Sequence, residues 1–160
     1  MNVKARFAGR TNSRLTGMGE AQARLAGEKA RNISFDVIIC SPLLRAKETA
    51  RLFAEGAKLN PAIIRANPLL VERDFGSLEK TQWIAGLSHS LIDSNLPEGV
   101  EPWSDMVQRA KELLAFVESL PVDNVLLVGH GSIGRAIRSV VEPTADVHAG
   151  IPNAELVRWI

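Results

Sequence analysis

Two short runs of large apolar residues constrain the fold of this chain more than any other feature. Residues 36–40 and 124–128 each contain four consecutive apolar side chains, and each leads at once into polar residues that can begin a helix. Unbroken apolar runs of this length are typical of strands buried on both faces, as in parallel sheets covered by helices. The sequence therefore predicts an α/β fold with a mainly parallel sheet.

Helical spacing and capping residues predict five helices. Thr16 and Ser104 are typical N-caps, and Ser41 followed by Pro42 is expected to begin another helix. Residues 155–160 are expected to form a last strand. The predicted helical ranges are 17–31, 43–54, 77–86, 104–120 and 132–141. The apolar stripe expected to bury the first helix consists of Ala21, Leu25 and Ala26.

The composition is typical of one soluble domain. The 160 residues include 19 Lys and Arg against 18 Asp and Glu, and the basic residues lack the clustering of a nucleic-acid binder. The single cysteine, Cys40, excludes a disulfide framework and fits a reducing compartment. No apolar run approaches the roughly 20 residues of a membrane helix, and the N-terminus lacks the apolar core of a signal peptide. We expect a single cytoplasmic domain over residues 1–160.

Polar side chains follow both predicted strands at the point where each ends. Residues 41–45 and 129–132 should meet at the sheet edge where ligands bind in open α/β folds, and each segment opens a helix whose free N–H groups favour an anion. Arg45 could hold a phosphate through two hydrogen bonds, and His130 lies between two glycines that let a ligand approach. The alternatives are a solvated Arg45, a structural His130 and, for Glu72, an ordinary surface carboxylate.

Other site patterns are incomplete. Gly129, Gly131 and Gly134 match the glycine spacing of a dinucleotide-binding turn, but no later strand ends in the acidic residue that would hold the ribose. Cys40 and Arg45 are one residue too close for a cysteine-dependent phosphatase loop, so we interpret the cysteine as a buried apolar residue. The sequence has no P-loop, and no cluster of His, Cys, Asp or Glu has the spacing of metal ligands.

Taken in order, five segments resemble the motifs of the histidine phosphatase superfamily, the phosphoglycerate mutase-like proteins. Ser-Pro-Leu-Leu-Arg-Ala at 41–46 is similar to the family's second motif, and Val-Gly-His-Gly at 128–131 is similar to its second histidine motif. The other matching segments are 6–16, 70–79, and 97–101 followed by Arg109. The resemblance covers nearly the whole chain and implies a three-layer α/β fold.

The resemblance implies a role for each matching side chain. Arg45 would hold the phosphoryl oxygens, His130 would stabilise charge on them in the transition state, and Glu72 would protonate the leaving oxygen. No metal or organic cofactor is implied. The further substrate-binding positions that the resemblance implies are Asn2, Gly9, Gly131 and Ser132.

The nucleophilic histidine of the family has no counterpart in this sequence. The family opens with a strand ending in Arg-His-Gly, and Asn2 aligns a few residues after that motif, so we expect the first strand of the sheet to be missing. His89 and His148 are interpreted as surface histidines rather than substitutes. Loss of the attacking group typically costs on the order of 10⁶-fold in rate, so the chain as written is expected to be nearly inactive. We expect an unpaired gap beside residues 125–128, unless a second chain pairs there in a homodimer.

Three accounts fit this departure. A start assigned at an internal methionine is favoured, because the cut falls directly after the motif, and the upstream codons would decide it. The second account is a non-catalytic protein that binds phosphorylated ligands or partners, and the third is activity through a different nucleophile. The segment between Glu72 and Glu101 is short for the family, which favours a phosphomonoesterase acting on small phosphorylated metabolites over a phosphoglycerate mutase. Neither nucleic acid nor a membrane is expected as a partner.

Overall fold

Three short parallel strands form the sheet in the part of the chain that the structure describes. The computed structural model describes residues 6–82, 95–146 and 148–159. The strands, in chain order, are β1 (Val37–Cys40), β2 (Ile64–Ala66) and β3 (Val125–Val128). β1 lies in the centre, where Ile38 is paired with Ile64 on one side and with Leu126 on the other. The parallel sheet predicted from the two apolar runs is confirmed.

Helices cover both faces of the sheet in the described ranges. The α-helices are α1 (Gly17–Lys29), α2 (Leu44–Ala57), α3 (Trp103–Glu118) and α4 (Gly131–Val141). Single 3-10 turns lie at Pro61–Ile63, Pro68–Leu70 and Gly76–Leu78. α1 packs on α2, and α3 packs on α4. None of these helices is both long and apolar enough to cross a membrane.

Alternate residues of β1 point to opposite helix layers. Ile38 and Cys40 belong to a core cluster with apolar residues of α2, whereas Ile39 packs with residues of α3 and α4. All three side chains are buried, and burying an isoleucine contributes about 1.5–3 kcal/mol relative to leaving it exposed. Burial on both faces explains why the strand is a continuous apolar run. The three-layer α/β fold implied by the resemblance is confirmed.

α1 begins as predicted but buries a different face. The Thr16 hydroxyl accepts a hydrogen bond from the Gly19 N–H at 3.1 Å, which confirms the N-cap. The buried residues of the helix are Ala23 and Gly27. The predicted stripe is wrong, since its largest member, Leu25, is half exposed. Close approach to α2 selects small residues on the buried face, so size outweighs hydrophobicity here.

Ser41 and Pro42 do not begin α2, contrary to the prediction. The Ser41 N–H donates to the Val128 carbonyl at 2.9 Å, so this residue continues the β1–β3 ladder. The helix starts at Leu44, and the side chain of its N-cap residue, Leu43, accepts no hydrogen bond. The Asn12 side-chain oxygen accepts from the Leu44 N–H instead, at 2.8 Å. The cap is thus supplied from a distant loop.

Three further predictions need correction. α3 starts at Trp103, so Ser104 lies inside the helix and Pro102 is the N-cap. The helix predicted over 77–86 is only the single turn at Gly76–Leu78 in its described part, because the chain then pairs with the N-terminal segment through a hydrogen bond from Phe7 to Thr81. The predicted last strand is absent from the described residues 155–159, where Trp159 packs against the core shared by α3 and α4.

The outer edge of β3 has no strand beside it among the residues that the structure describes. A mainly apolar cavity of about 800 Å³ extends along this strand, and residues 151–159 form part of its lining. An unpaired edge presents main-chain N–H and C=O groups that can pair with another strand. The open edge expected beside residues 125–128 is therefore present within this part of the chain.

The close crossing of α1 and α2 leads to a prediction on stability. A Cβ on Gly56 would overlap the Arg24 carbonyl, and a Cβ on Gly27 would overlap that of Phe53. We expect Gly56→Ala to lower the free energy of unfolding by about 1–3 kcal/mol through overpacking, even though alanine favours a helix over glycine by about 1 kcal/mol. Urea unfolding followed by circular dichroism measures this change.

Gly17→Ala is the matched control for this substitution. Nothing lies within 4 Å of a Cβ built on Gly17, so this variant should be as stable as the wild type or slightly more stable. If Gly56→Ala is no less stable than Gly17→Ala, the close helix contact is not tight in solution.

Candidate active site

The site forms where β1 and β3 end side by side. Cys40 is paired with Val128 as the last residue of each strand, and the ladder continues by the hydrogen bond from Ser41 to Val128. The residues after each strand therefore leave the sheet at the same level. The predicted meeting of segments 41–45 and 129–132 is confirmed by this register.

Arg45 lies in the first turn of α2 and points at the end of β3. Its Nε–H donates to Nδ1 of His130 at 3.3 Å, while its two terminal nitrogens donate to the carbonyls of Thr11 at 2.7 Å and Gly9 at 2.8 Å. A guanidinium has five N–H donors, so one donor on each terminal nitrogen is left for a ligand. The loop carbonyls thus fix the orientation of the cation while leaving it two hydrogen bonds to offer to an anion.

The charge of Arg45 is held in a half-buried environment. Burial lowers the pKa of its guanidinium, and the negative charges of Glu72 and Glu79 oppose that shift. Arginine nevertheless stays protonated in proteins. Partial desolvation strengthens its attraction for an anion, because the effective dielectric constant is lower than in water.

His130 is the N-cap residue of α4, and both of its ring nitrogens are engaged. Nδ1 accepts from Arg45, and Nε2 lies 2.8 Å from the Ser41 hydroxyl. Burial, followed by the positive charges of Arg45 and Arg109, lowers the pKa of His130 to about 3. The imidazole is therefore neutral at pH 7. An anion bound at Arg45 would offset the two cations and favour protonation of the ring.

Glu72 occupies the N-terminus of α4. One of its carboxylate oxygens accepts hydrogen bonds from the Ser132 N–H at 3.1 Å and the Arg73 N–H at 2.9 Å. The free N–H groups and the dipole of a helix favour an anion at this end. The anion at this helix end is thus the protein's own Glu72 carboxylate, bound to the N–H of Ser132, two residues along the chain from His130.

The structure brings together most of the predicted site residues. Arg45, His130 and Glu72 surround the end of β3, and Gly9 contributes its carbonyl to Arg45. Ser132 is buried and donates its main-chain N–H to Glu72, so it holds the carboxylate in place, and Gly131 next to it is exposed. Asn2 and His89 lie outside the described residues. His148 lies between residues 146 and 149, whose carbonyls accept from Arg138. Arg138 is eight residues, or about 12 Å, along α4 from His130.

The chain just before Glu72 is positioned by an ion pair whose role the sequence did not reveal. Arg109 of α3 makes a two-pronged contact with the Glu101 carboxylate at 3.0–3.1 Å, and both side chains are only 13% exposed. The same guanidinium donates to the carbonyls of Leu69 at 2.8 Å and Val71 at 2.6 Å. These contacts hold the chain just before Glu72. The sequence motif contained both residues, but nothing in their spacing showed that they meet.

The first loop, residues 9–12, is held in position by Arg10 and Glu79. The Glu79 carboxylate accepts from the Arg10 N–H at 2.6 Å, directly after Gly9, whose φ of +46° favours glycine. The Arg10 side chain donates to the Glu72 carbonyl at 3.2 Å and to Glu101 at 3.1 Å. The loop that orients Arg45 is therefore tied to the segment that carries the acidic group.

Neither a metal site nor a reactive thiol is found in the described part of the chain. No group of three or more His, Cys, Asp or Glu side chains there could hold a metal ion. Cys40 is buried in the core, and burial raises the pKa of its thiol. The interpretation of this cysteine as an apolar core residue is confirmed.

Comparison with known proteins identifies similar sequences. A family profile described as Histidine phosphatase superfamily (branch 1) matches residues 1–158. Two similar curated proteins are the probable phosphoglycerate mutases GpmB of Enterobacter sp. (strain 638) and Salmonella choleraesuis (strain SC-B67), at 34% and 35% identity over 141 residues. Each alignment covers 81% of this chain and 64% of the relative. The chain thus spans less than two thirds of the length of these relatives.

Solved structures share the fold. A mycobacterial glucosyl-3-phosphoglycerate phosphatase in complex with VO3 has a TM-score of 0.81 at 26% sequence identity, covering 96% of this chain and 83% of that chain. The alpha-ribazole phosphatase of Shigella flexneri has a TM-score of 0.78 at 23% identity, covering 96% of this chain and 81% of that chain. The second comparison shows likeness of fold alone.

The neutral His130 predicts how stability depends on pH. In the unfolded chain a histidine has a pKa of about 6.5, whereas burial lowers the pKa of His130 to about 3. Between these values the unfolded chain binds a proton that the folded chain does not, so stability should rise with pH across this window. The contribution is at most about 1.4 kcal/mol per pH unit, the value for one proton.

Urea unfolding of the wild type and of His130→Gln measures this contribution. The variant lacks the titrating ring, so its stability should fall less steeply than that of the wild type as the pH is lowered from about 7 to about 4. Parallel curves for the two proteins would show that His130 titrates alike in the folded and unfolded states.

Proposed function

The chain belongs to branch 1 of the histidine phosphatase superfamily, and we propose that its site binds the phosphoryl group of a small phosphomonoester and supports hydrolysis of that ester. The observation that carries the proposal is the convergence of three residues far apart in the sequence. Arg45 donates to His130 across 3.3 Å, and the Glu72 carboxylate is bound at the first turn of the helix that His130 caps. A cation, an imidazole and a carboxylate on one strand end suit phosphoryl transfer.

Each group has a distinct task in this proposal. The two remaining N–H donors of Arg45 hold two phosphoryl oxygens, and His130 takes a proton as the anion arrives and then donates a hydrogen bond to a third oxygen. Glu72, in its protonated form, gives its proton to the alcohol oxygen as the bond from phosphorus to that oxygen breaks. Water supplies the oxygen that finally bonds to phosphorus, and one of its protons returns to Glu72, so the products are the alcohol and inorganic phosphate.

The nucleophile separates two versions of the function. The sequence contains no Arg-His-Gly, and His130 is the histidine that the structure places beside Arg45 among the described residues. We therefore expect the 160 residues alone to bind phosphate with little turnover. A non-catalytic protein that binds phosphorylated ligands is the second candidate, supported by an imidazole that is neutral and engaged at both nitrogens.

The substrate class rests on the segment between Glu72 and Glu101, which is short for the family. A short segment leaves little protein to recognise a large alcohol, which favours small phosphorylated metabolites. The similar proteins include both phosphatases and probable phosphoglycerate mutases, so mutase activity is the alternative. We place the reaction in the cytoplasm, without a metal or organic cofactor, and leave the open edge of β3 as the site where a homodimer would pair.

Substitution of Arg45 tests the phosphoryl site. We expect Arg45→Ala to weaken binding of inorganic phosphate by about 10–100-fold, because hydrogen bonds to a charged group contribute about 1.5–3 kcal/mol. Calorimetric titration with phosphate measures the affinity, and hydrolysis of p-nitrophenyl phosphate by the same samples measures turnover.

Arg65→Ala is the matched control, because Arg65 is exposed on β2 and bonds only carbonyls of its own segment in the described residues. Its phosphate affinity should equal that of the wild type. Equal affinity in Arg45→Ala would refute the phosphoryl site. Phosphate binding without any turnover would favour the non-catalytic candidate, and turnover that depends on Arg45 would favour the hydrolase.

A further inference from the structure

Ser41 is a buried polar residue whose side chain is not explained by the start of α2. Its exposure is 0%, and it neither caps the helix nor carries a charge. Burying a hydroxyl costs free energy unless the group finds hydrogen-bond partners. The partners of this hydroxyl therefore show what the residue does.

The Ser41 hydroxyl lies against the imidazole of His130. Its Oγ is 2.8 Å from Nε2 of the ring, and it also accepts a hydrogen bond from the Leu43 N–H at 3.3 Å. The main chain of Ser41 is fixed because its N–H donates to the Val128 carbonyl, which extends the hydrogen bonding between β1 and β3 by one residue. The oxygen thus has little freedom to move relative to the ends of β1 and β3.

The tautomer of His130 determines whether the imidazole or the Ser41 hydroxyl donates the hydrogen bond between them. Arg45 can only donate, so Nδ1, which receives its Nε–H, must carry no proton. A neutral imidazole then carries its proton on Nε2, and this N–H donates to Ser41 Oγ. The two lone pairs of the hydroxyl are used by His130 and Leu43, which accounts for both acceptor positions.

We propose that Ser41 is a positioning residue of the phosphoryl site: by accepting the Nε2 proton of His130, it keeps Nδ1 turned toward Arg45, where the proposed function places the phosphoryl group. Nδ1 is then the atom that takes a proton from solvent when the anion arrives, gives up the hydrogen bond from Arg45 Nε–H and donates to a phosphoryl oxygen instead. The Ser41 oxygen can accept from Nε2 in both the neutral and the charged ring. The ring therefore does not need to turn when it takes up the proton.

The experiment compares Ser41→Ala with Ser41→Thr, which restores a hydroxyl. Nitrogen-15 NMR of the imidazole reports which ring nitrogen is protonated, and titration with inorganic phosphate reports the affinity. In Ser41→Ala the ring is free to turn Nδ1 away from Arg45, so we expect a mixture of the two tautomers and a loss of phosphate affinity on the order of tenfold, the effect of one hydrogen bond. Ser41→Thr should recover the wild-type tautomer and most of the affinity.

Ser139→Ala is the control for loss of a serine hydroxyl elsewhere. Ser139 lies on α4 and donates only to the Ala136 carbonyl of its own helix in the described part of the chain. This variant should match the wild type in both measurements. Circular dichroism confirms that each variant is folded before it is compared.

Several outcomes would overturn the proposal. If wild-type His130 carries its proton on Nδ1, Ser41 does not hold it as proposed, whatever the variants do. The same conclusion follows if folded Ser41→Ala keeps both the wild-type tautomer and the phosphate affinity. If Ser41→Ala fails to fold, Ser41→Thr and Ser41→Val, which have the same shape, replace it, and equal tautomers in those two would overturn the proposal.

The result is separable from the proposed function on which the proposal rests. If wild-type protein binds no phosphate, the phosphoryl site itself fails, and the affinity measurement fails with it. The tautomer of His130 in the wild type and the variants would still decide whether Ser41 orients the ring.

Discussion

The pairing of Cys40 with Val128 is the constraint on which the candidate site depends. Because β1 and β3 are parallel and end at the same level, the residues that follow them leave the sheet together. Ser41 stays in the ladder, and His130 begins the next helix opposite it. A shift of one residue between the strands would move every side chain to the other face of the sheet. The contact between His130 and Arg45 would then be lost.

Around this pair of strand ends, charged groups are held by defined partners rather than by solvent. Arg109 is bound to Glu101 and to two carbonyls ahead of Glu72, while Arg45 is bound to two carbonyls of the first loop. A partly buried charge whose partner is removed is strongly destabilising, typically by about 3–5 kcal/mol. The network therefore supports the geometry of the site, and substitution of one of its residues is expected to destabilise the protein. Burial of His130, followed by the positive charges of Arg45 and Arg109 in this network, lowers the pKa of the ring and keeps it neutral.

The open edge of β3 connects the fold with the question of the nucleophile. The cavity along this edge is mainly apolar and lies beside the strand that leads into His130. A strand that paired there would end near the same level as β1 and β3, because parallel strands in a sheet share their carboxyl edge. Residues following such a strand would face Arg45 and His130. Within the described part of the chain, the open edge of the sheet and the residues of the candidate site thus lie at one place in the molecule.

Much of the fold and part of the candidate site can be predicted from local sequence patterns. The apolar runs of β1 and β3 predict buried parallel strands, and the polar residues directly after them predict where a ligand binds, because these features depend on burial and chain direction alone. Glu72 was a different case, since only the resemblance distinguished it from a surface carboxylate. The helix predicted after Gly76 and the last strand failed because contacts with Phe7 and with the core around Trp159 outweigh local preference.

The sequence by itself determined the fold class and the family, and it named the three residues that meet at the candidate site. Only the tertiary structure decided what each of them contacts. It turned Ser41 from a presumed helix cap into the partner of His130, paired Glu101 with Arg109, and placed Glu72 rather than a ligand on the first turn of α4. The physical reason is that a hydrogen bond between side chains depends on distances across the folded chain. Burial and periodicity, by contrast, are properties that neighbouring residues already display.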